Sequence, residues 1–297
     1  MSTSTKVLIG VFVLLAIAAY FFLPSGKERE TSYESPELSL VGDSASIIKI
    51  EIERPEKSVK MENIGGKWKI TSPVEYAANS SSVGELIAGL RKLKTGSLIS
   101  SNPEKQNLFQ VDSSGSNVVL TDRSGKTTSL VVGKRGPSYS DVYFRLSDSK
   151  NVYLGEGLNT WVITQDLKEW RDKTIFSTSA DSIKQLNVKY RGKSYVLRRD
   201  STTWKYGKDS IATNVMTSML NVLSNLRADD FVDTLYRPKT QPFKVEVRTS
   251  ADVGLDFFPE PPDSSKYFVQ TSQSPRGFTL NKWSVRQLLE PIEKLQK

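Results

Sequence analysis

The chain contains no histidine and no cysteine. That absence removes the commonest general base, the Ser-His-Asp triad, the thiol nucleophile and the usual zinc ligand sets together. Three other groups of residues have types that could do chemistry. Asp229, Asp230 and Asp233 carry charge enough for a hard cation, but they lack the glycine and the alternate spacing of a calcium loop, so they read as a solvated turn after a helix. Gly133-Lys134-Arg135-Gly136-Pro137 resembles a phosphate loop in composition only: the spacing is wrong and no helical pattern follows, so it reads as a turn. Lys189, Arg191, Lys193, Arg198 and Arg199 flank a hairpin turn and form the densest basic group. Two distant carboxylates could support glycoside hydrolysis, and nothing in the sequence selects a pair. No catalytic, cofactor-binding or metal-ligating residue is assigned, no cofactor is expected, and the expectation is a protein that is not an enzyme.

The formal charge of +8 suggests attraction to anionic lipid or nucleic acid. Nucleic-acid binding would also need stacking aromatics among the charges, and the basic residues here are mostly scattered, so no nucleic-acid partner is expected. Tyr139 and Tyr267 are expected to be exposed, and with the basic surface they would suit an envelope polymer or lipid.

The elements that must position these residues begin after an apolar stretch. Val7 to Leu23 carries no charge. As a helix it would reach roughly 25 Å, slightly short of a ~30 Å hydrocarbon core. Tyr20, Phe21 and Phe22 stand where an aromatic belt belongs. Ala16-Ile17-Ala18 has the small-x-small form of a cleavage site, but the apolar run continues past it, and the preferred reading is a retained signal-anchor. Residues 1–24 are thus expected to be a transmembrane anchor, in contact with the bilayer through residues 7–23. Residues 25–44 read as a linker, with the body on the extracytoplasmic side.

The body reads as α+β, one unit used twice over residues 45–176 and 177–297. The first copy opens with the alternating strand Ile48–Ile52. Val59–Ile64 and Lys67–Ile70 follow as a hairpin across Gly65-Gly66, ending at Pro73. Val83, Leu86, Ile87, Leu90 and Leu93 then recur at helical spacing behind the capping run Asn79–Ser82. Strands return at 117–121, 127–132, 142–146 and 151–154, and Leu158–Trp161 opens a short helix running towards Trp170. The second copy repeats the order with a strand over 183–190, a hairpin over 194–199 and 203–206, and a helix carrying Met216, Met219, Leu220, Leu223 and Leu226. Strands over 243–248, 254–258 and 267–269 follow, and Leu280–Trp283 opens the last helix. Trp204 stands where Trp68 did, and the pairs Leu86/Met219, Leu90/Leu223 and Leu93/Leu226 share one offset. Each copy is expected to be a sheet covered by one amphipathic helix. Trp170-Arg171-Asp172-Lys173 bridges the copies and reads as packing rather than catalysis.

The order of these features resembles the domain-of-unknown-function family 4340. It comprises an anchor, Trp68-Lys69-Ile70-x-x-Pro73, a Val/Leu-rich helix, Val131-Val132-Gly133, Tyr143-Phe144-Arg145 and Trp170-Arg171-Asp172-Lys173. The resemblance covers about residues 45–297 and is clearer in the first copy; the second departs from it at Phe257-Phe258-Pro259. It implies a protein anchored by a single pass in a bacterial inner membrane, its body on the periplasmic side, associated with ABC-type transport systems of the gliding-motility and auxiliary type. It implies no catalytic residues. The partner it implies is an ABC permease or auxiliary membrane subunit.

Overall fold

A computed structural model describes residues 46–233, 240–259 and 265–295. The expected anchor and the linker over 25–44 lie outside the described residues. Among the described residues, no helix is long and apolar enough to cross a membrane. The architecture is α+β, dominated by two large sheets. The chain packs as two compact units: the described residues up to Ser58 with Leu86–Ile163, and Val59–Glu85 with the residues from Thr164 onward.

The first sheet contains β1 (Ile47–Arg54), β2 (Lys57–Ile64), β3 (Lys67–Ser72), β4 (Tyr76–Ala77), β5 (Lys94–Ser100), β6 (Ser116–Asp122), β7 (Thr127–Arg135), β8 (Asp141–Leu146) and β9 (Val152–Glu156). Its order is β4-β3-β2-β1-β6-β7-β8-β9-β5. Gly65 and Gly66 close the β2–β3 hairpin with φ of 61° and 83°. Two successive positive φ values give the turn the twist of the strands it joins, and only glycine adopts them without strain. Within the first unit, β1 and β6 set Ile50 opposite Leu120 and Ile52 opposite Val118, all buried. Helix α1 (Ser80–Lys92) presents Val83, Leu86 and Leu90 with no exposure at all. Its end approaches β9 closely: a Cβ on Gly155 would stand 2.6 Å from Leu93 Cδ1. The opposite face of this sheet carries a smaller cluster of Val111, Val131 and Val152 against Phe109 and Tyr143, where the 3-10 segment Pro103–Phe109 ends.

The second sheet lies wholly in the second unit. It contains β11 (Gln185–Tyr190), β12 (Lys193–Asp200), β13 (Thr203–Tyr206), β14 (Asp209–Ile211), β16 (Asp230–Val232), β17 (Phe243–Arg248), β18 (Asp252–Pro259), β19 (Lys266–Thr271) and β20 (Ser274–Asn281). Its order is β14-β13-β12-β11-β17-β18-β19-β20-β16, which matches the first sheet position for position. The remaining strands, β10 (Thr174–Ser177) and β15 (Asn225–Arg227), pair with each other. An apolar core backs this sheet, built from alternate residues such as Leu186, Val188, Val245 and Val247. Met216, Met219 and Leu223 of α4 (Thr213–Ser224) and Val285, Leu288 and Ile292 of α5 (Lys282–Lys294) complete it. Asn281 caps α5 by accepting from the Ser284 amide at 3.0 Å. The other face of the sheet is polar, and its partners stand directly opposite one another: Asn187 with Glu246, Lys244 with Asp256, Arg248 with Asp252.

Three local expectations are corrected. The helix from Leu158 towards Trp170 is two short ones, α2 (Thr160–Thr164) and α3 (Leu167–Trp170). The β-branched run Thr160, Val162, Ile163, Thr164 favours helix weakly, and Val162 and Ile163 are held by burial instead. Gly133 to Arg135 completes β7 rather than forming a turn. Gly133 is required there because a Cβ would stand 2.1 Å from the Phe109 carbonyl oxygen. The last helix does not open at Leu280: Leu280 and Asn281 end β20, and the helix starts at Lys282. Pro275 sits near the strand start, where a missing amide is tolerated, and Gly277 makes room for the Phe268 ring.

Candidate functional site

The expected solvated turn holds for Asp229, which lies in an exposed bend, but not for Asp230. Asp230 lies in β16 and bonds Lys168 at 3.3 Å; Asp229 accepts from the Asn281 side chain at 3.1 and 3.2 Å. Burial pushes the Asp230 carboxyl up, but the Phe231 amide and Lys168 outweigh it and hold the group below its ordinary value. Asp233 belongs to a different arrangement. Among the described residues, no group of three or more acidic side chains is placed to hold a metal ion.

Arg171 is the centre of that arrangement, inside the second unit. It is only 2% exposed, and its two terminal nitrogens donate to the two Asp233 carboxylate oxygens at 2.8 and 2.9 Å. Its guanidinium also lies 3.7 Å from the Phe231 ring centre and 4.6 Å from that of Tyr76. Arg276 adds a second cation, 3.5 Å from Asp233 and 5.1 Å from the Tyr76 ring centre. The hydrogen bond from Arg171 holds the Asp233 carboxyl below the usual carboxylate range. Neighbouring backbone joins the same knot: Trp170 accepts from the Asn79 amide at 2.7 Å, and Asp172 donates to Ala77 at 2.8 Å. The Trp-Arg-Asp-Lys segment therefore does structural work, as its buried Trp170 also indicates. Both terminal nitrogens of this arginine are spent on one carboxylate, and its Nε is buried without a hydrogen-bond partner, out of reach of solvent.

The basic group at the β11–β12 hairpin is divided by the fold. Arg199 is taken by Asp181 at 2.9 Å, and Arg198 bonds Gln185 at 3.2 Å on the polar sheet face. Lys189, Arg191 and Lys193 instead line a groove of about 610 Å³ in the second unit. The groove also takes Tyr190, Lys244 and Tyr267, with Pro242, Phe243, Pro259 and Leu289 supplying apolar wall. Arg191 and Gly192 form the tight turn, with φ of 48° and 78°, the left-handed pair that matches the twist of the two strands. Tyr190 packs edge-on to Phe243, which stacks on Phe257, rooting the groove wall in the core. The Arg191 guanidinium lies 5.0 Å from the Tyr190 ring centre.

Two carboxylates border these residues, and both are engaged: Asp256 by Lys244 at 2.6 Å and Glu293 by the Tyr190 hydroxyl at 3.1 Å. Burial and then the Glu293 hydrogen bond push the Tyr190 phenol above its ordinary value, and burial does the same to Tyr267. Both phenols thus stay protonated, as donors, across the neutral range. Tyr267 is half-buried in the groove, whereas Tyr139 is 82% exposed beneath Arg135. Charge density marked the hairpin in the sequence. Tyr267 was marked in the sequence as an exposed aromatic, whereas Gln241, Pro242, Pro259 and Leu289, the last on α5, reach the groove only through tertiary packing and carried no local signal.

A model of the family described as Domain of unknown function (DUF4340) matches residues 68–256. No curated protein and no solved structure matches the chain.

Proposed function

We propose that this chain, which belongs to the DUF4340 family of domains of unknown function, is a non-catalytic accessory subunit of a bacterial ABC-type transport complex. In this reading residues 7–23 anchor it in the inner membrane and the body is an extracytoplasmic binding or scaffolding domain, its two sheets the products of an internal duplication. The chemistry of the groove carries the binding part of the reading. Its lining is cations, phenols and apolar wall without a carboxylate, in a chain that has no histidine or cysteine. Such a lining can hold a ligand, and it supplies no base set to activate water or a nucleophile. The matching strand orders support the duplication.

The second reading is an independent, envelope-anchored glycan- or lipid-binding protein or hydrolase, and the tyrosines in the groove favour its binding form. Mild-detergent extraction of the full chain, native purification and mass spectrometry separate the two. A permease and an ATPase in stoichiometric amount are the expected companions. A lone, monodisperse protein would overturn the accessory role.

A further inference from the structure

We infer that the groove at the β11–β12 hairpin binds a phosphate-bearing ligand: a phosphate ester on a sugar or a lipid headgroup. This deepens the binding role proposed above and does not depend on a transport partner. The argument starts from charge. Lys189, Arg191 and Lys193 converge on one opening, and none of them has an ion pair among the described residues. The fourth cation, Lys244, is already held by Asp256. Three like charges on one hairpin repel one another, and an anion between them relieves that repulsion. Arginine supplies a planar fork and lysine a point charge, the two forms of cation that bind phosphate oxygens.

The walls restrict the rest of the ligand. Tyr267 presents a protonated hydroxyl, Tyr190, whose hydroxyl is given to Glu293, presents ring surface, and Pro242, Pro259, Phe243 and Leu289 present apolar surface. A bare phosphate would use only the rim, whereas a phosphate joined to a ring or a glycerol body uses the wall as well. The volume of about 610 Å³ falls within the usual range of small-molecule sites, roughly 300–1,000 Å³. Tyr190, beside the hairpin tip, packs edge-on against Phe243 of the core, so this part of the wall is in place before a ligand binds.

The test uses the full chain in neutral phosphatidylcholine nanodiscs, titrated calorimetrically with glucose 1-phosphate, with dihexanoyl phosphatidylglycerol and with glucose. At least one phosphate probe should bind tenfold or more tightly than glucose. The triple variant Lys189→Gln, Arg191→Gln, Lys193→Gln should lose at least tenfold in affinity for that probe, and Lys193→Gln alone about threefold. A control with the same charge change at exposed Lys105, Lys150 and Lys208 should retain wild-type affinity. Whichever phosphate probe binds more tightly identifies the glycan or the lipid source. Equal binding of glucose and both phosphates, or equal losses in the groove and control variants, would overturn the assignment.

Discussion

Replacing Asp233 by alanine isolates the energetics of the buried arginine. The substitution removes both acceptors of Arg171, whose side chain is 3% exposed, and leaves a desolvated cation between two rings. Breaking a buried pair on one side costs about 3–5 kcal/mol. Asp233 itself is 57% exposed, so water screens the pair, and about 2–3 kcal/mol is the expected loss. For a body of this size that corresponds to a melting temperature lower by roughly 5–10 °C. The assay is thermal unfolding of the full chain in mild detergent, followed through intrinsic fluorescence, since Trp170 is fully buried beside Arg171. The double variant Asp233→Ala, Arg171→Met should be more stable than Asp233→Ala alone, because the unpaired charge is gone. The pH dependence has a definite sign. The folded carboxyl is depressed, so its contribution is complete above the unfolded value of about 3.9 and is lost as pH falls through the folded one. The gap between wild type and Asp233→Ala should therefore be constant from pH 8 to 5 and shrink below about pH 4. A change under 0.5 kcal/mol on removing Asp233, or a double variant less stable than the single, would refute the idea that Arg171 depends on its carboxylate.

Two further substitutions test the packing. Leu90→Ala, at a position of α1 with no exposure, should cost about 2–5 kcal/mol in thermal unfolding, whereas Leu108→Ala, 57% exposed, should stay within about 0.5. Gly133→Ala should drive the Phe109 carbonyl away from β7, and hydrogen exchange should report lost protection at Gln110 and Val111 while the β11–β12 hairpin is unchanged.

Local rules carried the sequence a long way and stopped at identifiable places. The Gly65-Gly66 turn and the helical spacing from Val83 to Leu93 were legible because each depends on neighbours in the chain. Trp68 and Trp204, paired by their setting in the sequence, lie in strands with the same place in the order of their sheets, β3 and β13. The edge strands β5 and β16 were not. The first, Lys94–Ser100, holds a glycine and alternates weakly, and its register with β9 is interrupted; the second is three residues long. The fates of the aspartates were hidden for a different reason. Asp233 meets Arg171 across a wide gap in sequence, so composition showed two charges and not one pair. The groove lay between these cases: its cations were local to a hairpin, and its walls were not.

The places of β5 beside β9 and of β16 beside β20 govern how the chain can assemble as it is synthesised. Each of these strands emerges soon after its helix, but its partner is the last strand of the same sheet to be made, with three others in between. Until that partner arrives, an edge strand has open backbone groups that can pair wrongly, and closing so long a loop is slow. Pairing of these edges must therefore wait until Glu156 is free of the ribosome for the first sheet and Asn281 for the second, and the core of the second unit closes only when α5 follows. A chain truncated just before either strand would carry an unsatisfied edge, and holdase chaperones would act on it most during those two intervals.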